Sequence, residues 1–578
     1  MNGRAGVYKF FVFLFLLVII TFQFLSMIQS DRLYERLGDL VRQLESAQRS
    51  RPVGLSGSIK NGVNQTDANQ GDWLVWHDSG EPRTLNPISV DSSMEARHVV
   101  QRNIFETLFY YDLDYDGVKL EPVLAEKMEI SDDGLEVTVT LKEDIWFSDG
   151  QPVTADDVIF TYRTIMDPKI DAADIRNYYN NFVDAVKLDD RTVLFKLKEV
   201  FWKTIESIGI FEVLPEHIYK YDNAMEFNNW RTNPIGSGPY VFERWDVGQQ
   251  IVLTRNENYW GEKPNIKKIV FKYITNATAA LQALKTGDVD YMEPSSEQFY
   301  EVNQDEAFKE QYYTLSYWEP SGGYAFIGWN EDTPYFSDRR VRLAMTHLID
   351  RESMVEHLLK GLGRTITGTF YIYGKQNDPN ISPWPYDPQR AAELLDEAGW
   401  TDSDGDGIRN KDGIKFSFKL SYPAGNDTAE RVVKLIKDTA SQAGVEVIPD
   451  PVEWSIYLRK MHDRDITAGM SGWGGTIESD PYQLFHSSQV NGGSNYYGFR
   501  NKEADALIES ARRELDPEKR YAKYHEFCRL LHREQPYTFM YTRPTYGLFQ
   551  KRFKNVKVHS LGVNHLEWYV PKDEQRYR

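Results

Sequence analysis

Between Glu136 and Leu141 apolar and polar residues alternate without exception: Val137, Val139 and Leu141 on one side, Glu136, Thr138 and Thr140 on the other. A period of two predicts a half-buried strand. Asp149-Gly150 then marks a turn. Thr154-Ala155-Asp156-Asp157 resembles a capping box, with Asp in the usual Glu position, and opens a helix carrying Val158, Tyr162 and Ile165. Acids in a helix's first turn answer the helix dipole, so Asp156-Asp157 reads as a helix start and not as a catalytic pair. The break Gly236-Ser237-Gly238-Pro239 precedes strands at Tyr240-Val241-Phe242 and Ile251-Val252-Leu253. A second break, Ser321-Gly322-Gly323, precedes the apolar run Tyr324 to Trp329. Asp387-Pro388 and Asp516-Pro517 each place a cap and an N1 proline at a helix start; the first helix ends at Gly399, the second before Pro536. Strands and helices are mixed without a repeat of 20–50 residues, so the class is α/β.

The N-terminal 71 residues follow another pattern. Residues 10–28 are apolar except for Thr21, Gln23 and Ser26, close to the ~20 needed to cross a bilayer as a helix. Arg4 and Lys9 precede this run, and no small-x-small cleavage pattern or cysteine follows it. It reads as an uncleaved signal anchor (1–30), with a cleaved signal peptide as the alternative. Leu33, Leu37, Leu40 and Leu44 make an apolar seam at heptad spacing, so 31–50 reads as a short amphipathic stalk for self-association, or as a simple connector. Residues 51–71, rich in Gly, Ser, Asn and Gln, read as a flexible linker.

Charge and composition remove several function classes. With 67 Lys plus Arg against 86 Asp plus Glu, the net charge is −19, which argues against sequence-independent nucleic-acid binding. One cysteine, Cys528, rules out an internal disulfide and a thiolate metal cluster. It shares an apolar helical face with Tyr521, Tyr524 and Leu531 and reads as a core residue. Aromatic residues make up 14% of the chain, enough for sizeable cores and an aromatic-lined cleft. No P-loop, Gly-x-Ser-x-Gly elbow or His-Glu-x-x-His occurs.

The segments 106–168, 235–261, 276–292, 336–364 and 386–400, with Gly472 to Tyr541, together resemble the family 5 extracytoplasmic solute-binding proteins, the dipeptide and oligopeptide receptors of ABC importers. The likeness covers nearly all of 72–578. It implies a two-lobed, type II periplasmic-binding-protein-like clamp with an extra small domain. Lobe I would be assembled from 72–104, 233–320 and 537–578, the extra domain II from 105–232, and lobe III from 321–536. It also implies that the lobes close on a solute, that the closed form meets an ABC permease, and that no catalysis occurs. The place would be the periplasmic or extracellular face of a bacterial cytoplasmic membrane.

Within the resemblance, Trp473 of Gly472–Pro481 matches a tryptophan beside bound ligand. Peptide-binding members carry an aspartate three residues later for the ligand's α-amine; this chain has Thr476, and Met470 stands where some members have a cleft arginine. A hydroxyl cannot replace that charge, and a buried ammonium left unpaired is costly. Glu478 and Asp480 are the nearby acids for the role; otherwise the ligand lacks a free amine, as in a blocked peptide, an oligosaccharide or a metal chelate. Tyr178, Tyr324, Trp329, Asn495 and Tyr496 are the other ligand-binding candidates. Asp402, Asp404 and Asp406 alternate as in a calcium loop, with Gly407 at position six, but position twelve is Gly413 in place of glutamate. Calcium there and an acidic turn are the two readings. A hydrolase of cell-wall polymers and an anchored sensor are the alternatives from other classes.

Overall fold

The computed structural model describes residues 70–114 and 118–577. The expected anchor and stalk, and the linker up to residue 69, lie outside the described residues. Among the described residues no helix is long and apolar enough to cross a membrane.

Two large sheets organise the chain. The seven-stranded sheet has the order Tyr312–Tyr317, Thr545–Gln550, Tyr291–Met292, Trp73–Asp78, Lys268–Tyr273, Gln250–Arg255, Tyr240–Asp246. Its strands therefore come from the start, the middle and the end of the described chain. Arg552 ties these stretches: it pairs with Asp72 and, at 2.7 Å, with Asp290, whose Oδ2 also accepts the Val75 N–H at 2.9 Å. All three charged side chains are buried.

The six-stranded sheet has the order Arg364–Thr365, Tyr537–Thr542, Tyr324–Trp329, Ala468–Trp473, Ser417–Pro423, Glu446–Val452. Membership of Tyr537–Thr542 corrects one expected boundary. This strand pairs with Tyr324–Trp329, because its apolar face fills the core of lobe III, so the return to lobe I falls at Arg543-Pro544 and not at residue 537.

The extra domain is a four-stranded antiparallel sheet, Ala125–Ile130, Glu136–Leu141, Thr192–Leu197, Phe182–Asp189. Val137, Val139 and Leu141 are buried as the alternation predicts. The helix Ala155–Met166 starts with a complete Thr154–Asp157 capping box. Helices Pro388–Glu397 and Pro517–Glu534 begin on Asp387 and Asp516 caps, as expected. The extra domain shares one continuous apolar core with the sheet of lobe I.

Glu106 sits at that junction, accepting from Tyr259 Oη at 2.5 Å and Trp260 Nε1 at 3.0 Å. Burial pushes its carboxyl up to about 7 against these hydrogen bonds. The folded state thus holds this proton more tightly than the unfolded chain, and stability is lost as pH rises from the ordinary carboxylate value near 4.5 through about 7. Glu106→Gln is expected to gain melting temperature relative to the parent at pH 8 compared with pH 5. An equal difference at both pH values would show that this carboxyl does not set the slope.

Candidate functional site

Two crossings, at residues 318–323 and 543–544, join the large sheets. In lobe I the strands Trp73–Asp78, Lys268–Tyr273, Tyr291–Met292 and Tyr312–Tyr317 run in one direction, and the last leads into the first crossing. In lobe III Ser417–Pro423, Glu446–Val452 and Ala468–Trp473 are mutually parallel and antiparallel to Tyr324–Trp329, which leaves the crossing. The carboxyl ends of both parallel sets therefore face the seam between lobes, the edge where α/β sheets bind ligands.

The lobe III wall is aromatic. Tyr496 stacks on Trp473 (centroids 6.0 Å, 24°), Trp473 on Phe326 (6.2 Å, 7°) and Phe326 on Tyr537 (4.2 Å, 16°). The stack fixes the plane of a half-buried indole at the strand's end. Tyr324, paired in register with Trp473, exchanges a hydrogen bond of 2.7 Å with Thr369. Both line a small pocket with Pro320, Gly475 and Ser479. Gly475 packs so closely on the Pro320 carbonyl that a Cβ would collide with it, and only glycine lets the Trp473 loop touch the crossing. Thr476 is exposed and donates to the Glu478 carbonyl at 2.9 Å.

The structure assigns Glu478 and Asp480 another task. Glu478 is buried, paired with Arg520 at 2.9 Å and accepting from Tyr521 Oη at 2.5 Å. Asp480 pairs with Arg512 at 3.2 Å. Both arginines lie over rings of the extra domain, Arg520 over Trp202 at 4.5 Å and Arg512 over Phe201 at 4.2 Å. Lys203, on the helix Trp202–Ile210 of the extra domain, donates to the Glu478 carbonyl at 2.8 Å and to Glu206 at 2.7 Å. Trp202 Nε1 donates to Tyr524 Oη at 3.2 Å. Both acids are engaged within the protein, and through Arg520 and Arg512 they hold the extra domain against lobe III.

The other candidates separate. Trp329 is fully buried and donates to Thr538 at 3.0 Å, and Asn495 is buried and bonded to His486 and Phe499, so both are interior residues remote from a ligand-facing role. Tyr178 is exposed on the extra domain. Cys528 is buried and its thiol is pushed up to about 12 by desolvation. Oxygens of Asp402, Asp404 and Asp406 come within 4.8 Å of one another. Asp402 is spent on the Gly405 and Gly407 N–H groups, at 2.8 and 3.0 Å, and the Lys415 ammonium lies against Asp404 and Asp406.

The lobe I wall carries residues that no motif marks. Asp78 ends one central strand, Tyr273 ends its parallel neighbour, and Glu293 and Glu319 follow the ends of two more. His98 leans over this edge from the helix Met94–Val100, its Nδ1 2.8 Å from Asp78 Oδ1. Burial works to lower the His98 pKa, but Asp78, Glu293 and Glu95 outweigh it and raise the value. The one signal in sequence was positional, an acid at or within two residues of the end of each strand.

The family model described as "Bacterial extracellular solute-binding proteins, family 5 Middle" matches residues 119–496. The oligopeptide-binding protein AppA of Bacillus subtilis is 32% identical over 520 residues, covering 87% of this chain and 92% of that protein. Its solved structure in complex with a nonapeptide superposes with a TM-score of 0.74 at 30% identity, over 87% of this chain and 99% of that one. NikZ of Campylobacter jejuni, solved in complex with Ni(L-His), gives a TM-score of 0.73 at 25% identity, over 86% of this chain and 99% of that one.

Proposed function

Because the chain belongs to the bacterial extracellular solute-binding proteins of family 5, we propose that it captures a peptide-like solute between its two lobes. It then delivers the solute, chemically unchanged, to the permease of an ABC importer. The carrying observation is the pair of opposed carboxyl-edge walls, joined by two short crossings, with the aromatic Trp473 loop seated on one of them. Ligand shifts a clamp toward closure only through contacts that exist when it is shut. The Phe201–Lys203 helix start is docked on Arg512, Arg520 and Glu478 of lobe III. Backbone hydrogen bonds and wet pockets would hold an extended peptide with little side-chain selection. AppA, described as oligopeptide-binding, supports the peptide class.

Calorimetry with tri- to nonapeptides, followed by mass spectrometry of the mixture, tests this. Saturable one-to-one binding of intact peptide is expected. Cleavage products would favour a hydrolase. Binding of a nickel–histidine complex in place of every peptide would favour the chelate reading, which Thr476 and the NikZ likeness support.

Two finer parts belong to the same proposal. The apolar run 10–28 tethers the clamp to the membrane, on the strength of its length and hydropathy. Full-length protein should then stay with the membrane in alkaline carbonate and leave it in detergent; release by carbonate would refute the tether. The Asp402–Asp412 turn is a weak calcium seat in competition with Lys415. Removing that ammonium in Lys415→Ala should tighten calcium binding about tenfold in calorimetry. No calcium heat in parent or variant would end the calcium reading.

A further inference from the structure

Four features of the lobe I wall converge. First, three carboxylates, Asp78, Glu293 and Glu319, stand at or just beyond the carboxyl ends of parallel strands, at the seam between lobes. Second, among the described residues no lysine or arginine lies within ion-pair distance of any of them; His98, on Asp78, is their one basic partner. Third, the Asp78 side chain is 6% exposed, yet its Oδ2 has no hydrogen-bond partner among the described residues, and neither does the buried hydroxyl of Tyr273 on the adjoining strand. A buried carboxylate oxygen and a buried phenol without partners are costly unless a further polar group reaches them. Fourth, the neighbours feel each other's negative field. Burial, and behind it the Glu293 carboxylate, push the Glu319 carboxyl above its ordinary range. Asp78 and Glu95 add to the burial that raises Tyr273.

We propose that this wall is a seat for an organic cation of the ligand, an ammonium or guanidinium, with Asp78 Oδ2 as the innermost acceptor and Glu293 and Glu319 flanking it. This rests on the solute-receptor reading and deepens it by naming the charge of the solute. It also answers the question Thr476 poses. Thr476 carries no charge, and the nearest acids of its loop, Glu478 and Asp480, are committed to Arg520 and Arg512. The negative charge for a cationic solute lies across the cleft, on lobe I. A bare metal ion fits less well. His98 and these carboxylates do not bring three ligand atoms within 4.8 Å of one another, whereas a planar or tetrahedral organic cation spans several acceptors. The chain's net charge of −19 would draw such solutes toward the protein.

The test uses the full-length protein and four probes: Ala-Ala-Ala, N-acetyl-Ala-Ala-Ala, and the N-acetyl-Ala-X-Ala pair with X lysine or its uncharged isostere norleucine. Agmatine, a cation without a peptide backbone, is the fifth. The parent should prefer the lysine peptide over the norleucine peptide, or the free amine over the acetylated one, by at least about tenfold. In Asp78→Asn that preference should fall below about twofold with the norleucine affinity kept. Glu293→Gln, at an exposed position, should reduce the same preference several-fold. Peptides that bind without regard to charge would overturn the seat and leave the peptide reading standing. Peptides that fail while agmatine binds, and loses affinity in Asp78→Asn, would support the seat and refute the peptide class. Failure of every probe would overturn both.

Discussion

Glu478→Ala should unfold lobe III at a temperature on the order of 10 °C below the parent, from a loss of about 3–5 kcal/mol. The pair it breaks is buried on both sides, with Glu478 and Arg520 side chains 5% and 7% exposed. Truncation leaves the Arg520 guanidinium in the interior without its counter-ion and leaves Tyr521 Oη without its acceptor. The bonds Arg520 keeps, to the Glu514 and Leu515 carbonyls, do not neutralise it. Glu478→Gln retains an acceptor and should lose less than half as much. The exposed pair Lys434–Glu430 is the control; breaking it should cost about 0.3–0.5 kcal/mol. The same substitution releases the ring-faced arginine that meets Trp202, so hydrogen exchange should rise in the Trp202–Ile210 helix as well as in lobe III. Unchanged melting in Glu478→Ala would mean that the pair is not buried in solution.

Trp473→Ala should weaken solute binding by about 2–4 kcal/mol, or roughly 30- to 1,000-fold in Kd, with a smaller effect on melting. The ring is half-buried and lies against the stacked column of Tyr496, Phe326 and Tyr537, which holds its plane without covering it completely. Trp473→Phe keeps a ring in the column and should recover most of the loss. Titration of the same peptide into all three proteins decides this. Equal affinities would show that the solute does not touch the indole.

Local patterns carried the fold a long way. Alternation at Glu136–Leu141, the Thr154 box and the Asp-Pro helix starts at 387 and 516 all depend on neighbours within a few residues, and each appears in the structure where the pattern puts it. The boundary near residue 537 depends on which sheet edge a strand joins, and an apolar strand fits either. The site divided along the same line. Trp473, marked by its loop motif, and Tyr324, at the start of the apolar run after Ser321-Gly322-Gly323, do lie at the seam, paired in register. Glu478 and Asp480 look equally available in sequence, since their partners Arg520 and Arg512 arrive from helices about thirty to forty residues on. Trp329 and Asn495 look like cleft residues until packing shows them enclosed. Asp78, Glu293 and Glu319 are separated along the chain, and the mixed seven-stranded sheet brings them to one edge.

Hinge closure on an intact solute is the claim from which the rest follows. Small-angle scattering reads it directly, on full-length protein stripped of bound solute by unfolding and refolding, before and after its own small-molecule extract is added back. A saturable fall in the radius of gyration, reversed by dialysis, with the solute recovered at unaltered mass, is the predicted result. A radius indifferent to the extract, or a solute returned in pieces, would contradict it.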